Sequence, residues 1–511
     1  MDNRKYNIIF HLHTVSGIVL SILIYIIFFT GSFSFFRDEI VNWERIETAK
    51  SDDLSSINID QLTKRINDSI PLRGRNIELY KYYKEERIVV NISPSKDSLS
   101  PQHSTPYFFY ILPNTFETFS YENSYTLGEF LYRLHFLAQL PRPFGGYISG
   151  LTAFFLLFIL LTGILIHWKK IISNFFLFRP MSKTRIVWSD LHTILGTVGL
   201  PFQFIYALTG AFFMLKALLI APSILFLYNG NEKQLYDDLE FSDPSFIYKG
   251  EHLNTFTPTN KLINKTLDKW TDFNMTNIFI SNFGDSSMHT TLEGYTPHKT
   301  RVNGLGKITY ISHSGNTLNE TSPYQGTSYL TSVKNLLNKI HFGDYGGLPL
   351  RIISFLLGIS SCFVVLSGIM IWIESRKKQK LSEHKKRINA WVGHIYLATC
   401  LSLLPVTALS FILTRLLSPE SPEYRMDFLY YSYFITWILA SIFLSVKKDD
   451  FFTNKLTLIT GGLIGLFIPI LDIIILGARV IFLKPDIIII DLLWLTIGLT
   501  CTWIGLQLKR K

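Results

Sequence analysis

Eight stretches of the chain run almost without Asp, Glu, Lys or Arg, beginning near Tyr6, Pro143, Leu191, Ile352, Ile388, Phe428, Leu456 and Ile487. Each is close to the roughly 20 apolar residues that a helix needs to cross a bilayer. The pattern predicts an α-helical integral membrane protein with about eight transmembrane helices. Four spans fall at 6–36, 143–168, 191–215 and 350–373, and a C-terminal membrane region of four helices covers 388–508. The first run continues past Phe36 without a small-residue cleavage site, so it reads as a retained helix rather than a removed signal.

Two connections are too long to be loops and predict folded units outside the bilayer, at 37–142 and 216–349. In the first, 85–92 and 107–112 have strand composition and are bounded by Pro, Ser and Asn. In the second, Asn277–Ile280 and Lys307–Ser312 are bounded by Gly and Asn. These segments read as two small α+β domains, each closed by an amphipathic helix before the next span. The first such helix carries a capping-box signal, Thr126 to Glu129.

Composition agrees with the membrane assignment. Of 511 residues, 48% are hydrophobic and only 17% charged. The net charge of +10 raises the question of nucleic acid, but its distribution argues for topology instead. Basic residues gather at alternate ends of the apolar runs: Arg4 and Lys5; Lys169, Lys170, Arg179, Lys183 and Arg185; Arg376, Lys377, Lys378, Lys380, Lys385, Lys386 and Arg387; Lys447, Lys448 and Lys455; and Lys509 to Lys511. The positive-inside rule then places both termini in the cytoplasm, with a lipid bilayer and no nucleic acid as the partner that the charge reports. Cys362, Cys400 and Cys501 fall within apolar runs, too far apart for a zinc or redox motif, and no C-x-x-C-H occurs.

An internal repeat carries the candidate chemistry. Leu12-His13-Thr14, Gly17, Thr30-Gly31 and Phe33 recur 179 positions later as Leu191-His192-Thr193, Gly196, Thr209-Gly210 and Phe212. A second repeat precedes the second and fourth helices, where Leu127, Phe130, Leu131, Leu134, His135 and Phe136 match Val333, Leu336, Leu337, Ile340, His341 and Phe342 at an offset of 206. Both copies start and end on the same side, so the halves formed by helices 1–4 are parallel repeats about an axis along the membrane normal. Equivalent residues then share a depth, with His13 and His192 at the cytoplasmic edge and His135 and His341 at the outer edge. Such pairs suit two axial imidazoles on a heme iron. Zinc would call for a third protein ligand that neither repeat supplies.

A lone interfacial histidine is more often a hydrogen-bonded or snorkelling residue than a ligand, and duplication is what favours two b-type hemes here. His167 and His394 are the secondary candidates; the repeat counterpart of His167 is Trp372, so symmetry gives it no support. His384 lies in a Lys-rich loop and reads as solvated.

These residues also resemble the PepSY-associated transmembrane family over roughly Tyr6 to Arg376. The resemblance rests on the Leu-His-x-x-x-Gly helix ending in Thr-Gly-x-Phe, the second Leu-His before helix two, and the repetition of both. That family includes iron-regulated inner-membrane proteins and siderophore-iron reductases of Gram-negative bacteria. It implies periplasmic PepSY-like domains, heme b, location in the bacterial inner membrane, and electron transfer to a ferric siderophore; the expected mechanism adds a reduced donor on the cytoplasmic side, a quinol or a flavoprotein, which the sequence does not name. By matching position, the axial ligands would be His13, His192, His135 and His341.

The family often has a basic residue after the first motif's histidine, whereas here Thr14 and Thr193 stand. Heme propionates would be met instead by Arg133, Arg142 and Arg351, or by Lys169 and Lys170, all of which equally suit interfacial anchoring. Asp472 and Asp491 are costly at membrane depth and are functional candidates, or else solvated near helix ends. No nicotinamide or flavin motif is visible, since no G-x-G-x-x-G follows a strand. The competing readings are a non-enzymatic PepSY regulator of peptidase or envelope function, and a siderophore transporter.

Overall fold

A computed structural model describes the chain except residues 1, 48–52, 82, 170, 240–244, 297–303, 326–327, 378–381, 417–423 and 511. Lys170, Lys378, Lys380 and Lys511, used above to judge topology, lie outside the described residues. The helices in chain order are α1 (Asn3–Ser34), α2 (Arg37–Arg45), α3 (Ile59–Ser69), α4 (Leu127–His135), α5 (Phe144–His167), α6 (Ile171–Phe175), α7 (Thr184–Phe226), α8 (Glu232–Asp238), α9 (Thr259–Lys269), α10 (Tyr329–Phe342), α11 (Gly347–Lys377), α12 (Glu383–Leu401), α13 (Leu403–Leu416), α14 (Arg425–Lys447), α15 (Asp450–Leu476), α16 (Ala478–Leu483) and α17 (Pro485–Gln507). Among the described residues eight spans are long and apolar enough to cross a membrane: α1, α5, α7, α11, α12 with α13, α14, α15 and α17. The protein is a multi-pass membrane protein.

The fifth span breaks at Ser402, between α12 and α13. Pro405 follows immediately; it has no N–H for the carbonyl four residues back, and its ring crowds that carbonyl. The third span, α7, runs well beyond the expected 191–215, and Pro201 and Pro222 lie inside it. Without water to drive apolar association, membrane helices pack through small residues. A Cβ on Gly462 would lie 2.9 Å from the carbonyl oxygen of Gly498, so α15 and α17 touch backbone to backbone. One on Gly358 would collide with the Ser32 hydroxyl, marking the close approach of α11 to α1.

The extramembrane segments depart from the expected two separate domains. Their strands are β1 (Ile77–Tyr80), β2 (Ile88–Ile92), β3 (Tyr107–Ile111), β4 (Thr118–Phe119), β5 (Asn274–Ser281), β6 (His289–Tyr295), β7 (Leu305–Ile311) and β8 (Asn316–Thr321). They form one antiparallel sheet in the order β4-β3-β2-β1-β5-β6-β7-β8. The seam pairs β1 with β5, Ile77 opposite Ile280 and Leu79 opposite Ile278. Both strands would otherwise be exposed edges, and pairing them satisfies two rows of backbone groups at once. The core is shared: Leu62 and Ile66 of α3 and Leu262 and Ile263 of α9 pack over Ile77, Leu79, Ile278 and Ile280.

Helix α2 joins the sheet to the membrane helices. Arg37 bridges Glu85 (2.6 Å), Glu129 (2.9 Å) and Asp38 (3.0 Å), with Arg45 also on Glu85 at 2.7 Å. Thr126 caps α4 by accepting from the Glu129 amide, but the Glu129 carboxylate goes to Arg37 and Arg133 rather than back to the cap. Burial alone would raise the Glu85 carboxyl, yet Arg37 and Arg45 pull it down to about 2. A carboxyl held below its ordinary value, roughly 4.3, adds stability above that value and loses it as pH falls through the folded one. Glu85→Gln is therefore expected to destabilise the protein by about 3 kcal/mol at neutral pH. It should also flatten the acid limb between roughly pH 4 and pH 2, as read by tryptophan fluorescence during unfolding across that range.

Candidate functional site

Each sequence-predicted histidine pair converges. The His13 and His192 ring centroids are 6.2 Å apart with planes at 81°. His135 and His341 are also 6.2 Å apart, with planes at 40°. Two imidazoles ligating one metal from opposite sides, with bonds of about 2 Å, place their centroids roughly 6 Å apart. All four rings are half-buried. The two pairs sit at opposite ends of α1: 14 residues separate His13 from Ile27, which supports His135, and at 1.5 Å per residue that is about 21 Å of rise.

The tautomers follow from the partners. His13 Nδ1 lies 3.0 Å from the Ile159 carbonyl oxygen and 3.2 Å from Thr162 Oγ1, on α5. His192 Nδ1 lies 2.9 Å from the Val364 carbonyl oxygen and 3.1 Å from Ser367 Oγ, on α11. His135 Nδ1 reaches the Ile27 carbonyl oxygen of α1 at 2.8 Å. A carbonyl only accepts, so in all three rings Nδ1 carries the hydrogen. His341 Nδ1 meets Thr209 Oγ1 at 2.8 Å, and that hydroxyl's hydrogen is donated to the Ile205 carbonyl oxygen at 2.7 Å. The fourth Nδ1 is therefore a donor too. Every ring is left with its Nε2 lone pair for a ligand, in the orientation that second-shell carbonyls commonly impose on metal-binding histidines.

Glycines admit the rings. A Cβ on Gly163 would stand 3.2 Å from the His13 ring and one on Gly368 3.3 Å from the His192 ring, while one on Gly31 would lie 2.5 Å from His135 Nδ1. The supports Ile159, Thr162 and Gly163 recur as Val364, Ser367 and Gly368 at an offset of 205, one less than the offset of His135 and His341. Sequence reasoning missed this set, although Thr-Gly and Ser-Gly in the two helices were a readable signal.

A cavity of about 380 Å³ lies between the sheet-side histidines, lined by Gly31, Tyr132, His135, Tyr206, Phe213, Lys216 and His341 among others. That volume is in the range of cofactor pockets, and its lining is mainly apolar with a few polar groups. Among the described residues no three or more His, Cys, Asp or Glu converge, so each pair offers two imidazoles. Two facing imidazoles with free Nε2 atoms fit axial ligation of a heme iron, and the glycine clefts fit the close approach that this requires.

The secondary candidates separate. His167 lies within electrostatic reach of both His13 and His192, on the α5 face that carries Gly163 one turn earlier. His394 instead pairs with Asp450 at 2.6 Å, which fixes α12 to α15. The cations expected to meet propionates divide similarly. Arg133 is held by Glu129 at 2.7 Å and Arg351 by Glu39 at 2.7 Å, so both act as structural clamps. Lys216, unforeseen from the sequence, reaches the cavity lining.

The family described as PepSY-associated TM region matches residues 10–375. The chain belongs to that family. It is also 23% identical over 244 residues to the uncharacterized protein PA4219 of Pseudomonas aeruginosa, covering 45% of this chain and 60% of that one. In this PepSY-associated protein all four paired histidines lie inside the matched region, and helices α12 to α17 lie beyond it.

Gly31→Ala is expected to displace the His135 ring and lower the thermal midpoint of the solubilised protein by the equivalent of about 1–3 kcal/mol. At Gly17, where no atom lies within 4 Å of a built Cβ, alanine should leave the midpoint unchanged or raise it, by up to about 1 kcal/mol in equivalent stability.

Proposed function

We propose that the protein is a di-heme reductase of the bacterial inner membrane. In this reading it passes electrons across the bilayer to a periplasmic ferric siderophore, whose iron is reduced from Fe(III) to Fe(II) and released. The observation that carries the reading is the pair of equal 6.2 Å histidine facings at the two ends of α1, with every Nδ1 committed to a donor hydrogen bond. Heme b, when bound, supplies reversible one-electron chemistry at its iron.

The chain's own residues hold and orient. His13 and His192 form the cytoplasmic ligand pair, and His135 and His341 the periplasmic pair. The carbonyls of Ile159, Val364 and Ile27, with Thr209, fix the ring orientations. Basic residues flanking the spans on the side away from the sheet support a periplasmic sheet and cytoplasmic termini. The donor on the cytoplasmic side would be a quinol or a flavoprotein. Hard oxygen donors of a siderophore favour Fe(III) over Fe(II), so one added electron itself weakens the chelate.

The test is the visible absorption spectrum of the purified protein, oxidised and reduced, with heme quantified per chain. Two b-type hemes are expected. His13→Ala or His192→Ala should remove one, and His135→Ala or His341→Ala the other, while reduction of a ferric chelate in the intact protein should fail in all four. A folded protein without heme would refute the reading and leave a regulator or a transporter.

A further inference from the structure

The two histidine pairs are supported differently, and the difference breaks the internal repeat at one end only. In the distal pair, His13 and His192, the two copies agree. His13 Nδ1 has the Ile159 carbonyl oxygen at 3.0 Å and Thr162 Oγ1 at 3.2 Å, and His192 Nδ1 has the Val364 carbonyl oxygen at 2.9 Å and Ser367 Oγ at 3.1 Å. A Cβ on Gly163 would stand 3.2 Å from the first ring and one on Gly368 3.3 Å from the second. Each distal ring therefore gives its hydrogen to a peptide oxygen that a hydroxyl reinforces.

At the sheet side the copies part. His135 Nδ1 donates to the carbonyl oxygen of Ile27 at 2.8 Å, and the counterpart of Ile27, 179 positions on, is Tyr206. Strict repetition would hand His341 the Tyr206 carbonyl. Its Nδ1 meets the Thr209 hydroxyl oxygen instead, at 2.8 Å. The counterpart of Thr209 is Thr30, which donates within its own helix to the Ile26 carbonyl oxygen at 2.7 Å. A Cβ on Gly31 would lie 2.5 Å from His135 Nδ1, whereas the nearest atom to one on Gly210 is the Ala153 methyl at 3.6 Å, so His341 does not press on α7 as His135 presses on α1. The rings of Tyr206 and Phe213 lie 5.3 Å and 5.1 Å from the His341 ring. Their counterparts on α1 are Ile27 and Ser34, which carry no ring.

A peptide oxygen carries negative charge from amide resonance, which a hydroxyl oxygen lacks. An Nδ1 hydrogen given to the stronger acceptor makes the opposite Nε2 more basic, and a more basic axial imidazole favours ferric over ferrous iron. The aromatic shell around His341 acts in the same sense as its weaker acceptor, because apolar surroundings disfavour the more positive state of the iron. Basic residues flank both ends, Lys169, Lys183 and Arg185 at one and Lys216 at the other; all four are exposed, so solvent screens them and the hydrogen bonds decide. We propose that the sheet-side pair is the site of higher reduction potential, with Thr209 as the positioning residue that sets it, so that electron transfer from the distal to the sheet-side site runs downhill. This inference rests on the heme reading above. The step moves one electron and no proton: the distal iron passes from Fe(II) to Fe(III), the sheet-side iron from Fe(III) to Fe(II), and every Nδ1 keeps its hydrogen. The quinol or flavoprotein supplies the electron and the ferric chelate takes it up.

Potentiometric titration of the heme absorption bands, on the full-length protein as purified with its hemes, tests the order directly. Two separate one-electron waves are expected in the wild type. His13→Ala or His192→Ala, which removes the distal heme, should retain the higher wave, and His135→Ala or His341→Ala the lower. Thr209→Val keeps the side-chain volume but takes away the acceptor, so it should move the higher wave to more positive potential and leave the lower wave in place. Thr162→Val removes a hydroxyl but leaves the Ile159 carbonyl, and should shift the lower wave less than Thr209→Val shifts the higher. Two hemes with coincident waves would overturn the proposal while leaving the di-heme reading intact. So would retention of the lower wave in the distal-heme variants, or a higher wave that Thr209→Val leaves unmoved or makes more negative. A folded wild-type protein without heme would refute the di-heme reading itself, and this inference with it.

Discussion

An imidazole in a membrane helix can be pinned by giving its Nδ1 hydrogen to a carbonyl or hydroxyl of the next helix, and the arrangement of the repeated half depends on that bond. For His13 and His192 the acceptors are the Ile159 and Val364 carbonyls. Each carbonyl belongs to a helix whose glycine one turn on, Gly163 or Gly368, lets the ring reach it. The bond therefore sets a helix spacing as well as a tautomer. α1 must lie against α5, and α7 against α11, at backbone distance. Larger residues at the two glycines would move the rings off the carbonyls and away from each other.

The sheet imposes the matching constraint at the other end. His135 and His341 belong to α4 and α10, which leave the strands of different segments and have no covalent reason to meet. The β1–β5 seam joins those segments into one body. Arg37 then ties α2 to α4 through Glu129, and Arg351 ties α11 to α2 through Glu39. The facing of the sheet-side rings is thus inherited from strand pairing and buried ion pairs, whereas the facing of the distal rings is inherited from helix packing. Different supports giving the same 6.2 Å separation is an argument that the separation itself is what the fold preserves.

The apolar runs made the eight spans legible, because a run of that length and charge content has few other uses in a protein. Strands β2, β3, β5 and β7 were legible from their β-branched and aromatic content. β6 and β8 were not, since His289-Thr290-Thr291 and Asn316-Thr317 present polar residues that resemble loop. The seam is a contact between residues about 200 positions apart, and no local pattern encodes it. Duplication made the four histidines legible. Their supports escaped because a one-residue difference in the connections shifts the offset from 206 to 205, so matching at a fixed offset fails just where the partners lie. The acceptor of His394, Asp450, was hidden for another reason, that nothing in single-helix periodicity reports which helix is the neighbour.

The helices beyond the family match are not attached uniformly. Glycine contacts such as Gly462 on Gly498 hold α15 to α17 within the C-terminal group. The polar bonds to the repeated half gather at the sheet end: Trp43 to Asp472, Asn42 to Asp486, Glu44 to Arg425 and Lys484 to the Ile46 carbonyl. All four originate on α2 or its C-terminal cap, the short segment that follows the membrane end of α1. A polar bond in a poorly solvated setting costs much to break and little to keep once both groups are buried. The two halves are therefore held most firmly where α1 meets the sheet. Any change of charge at Asp472 or Arg415 acts first on α2, through Trp43, and α2 follows directly on the half of α1 whose Ile27 carbonyl orients His135.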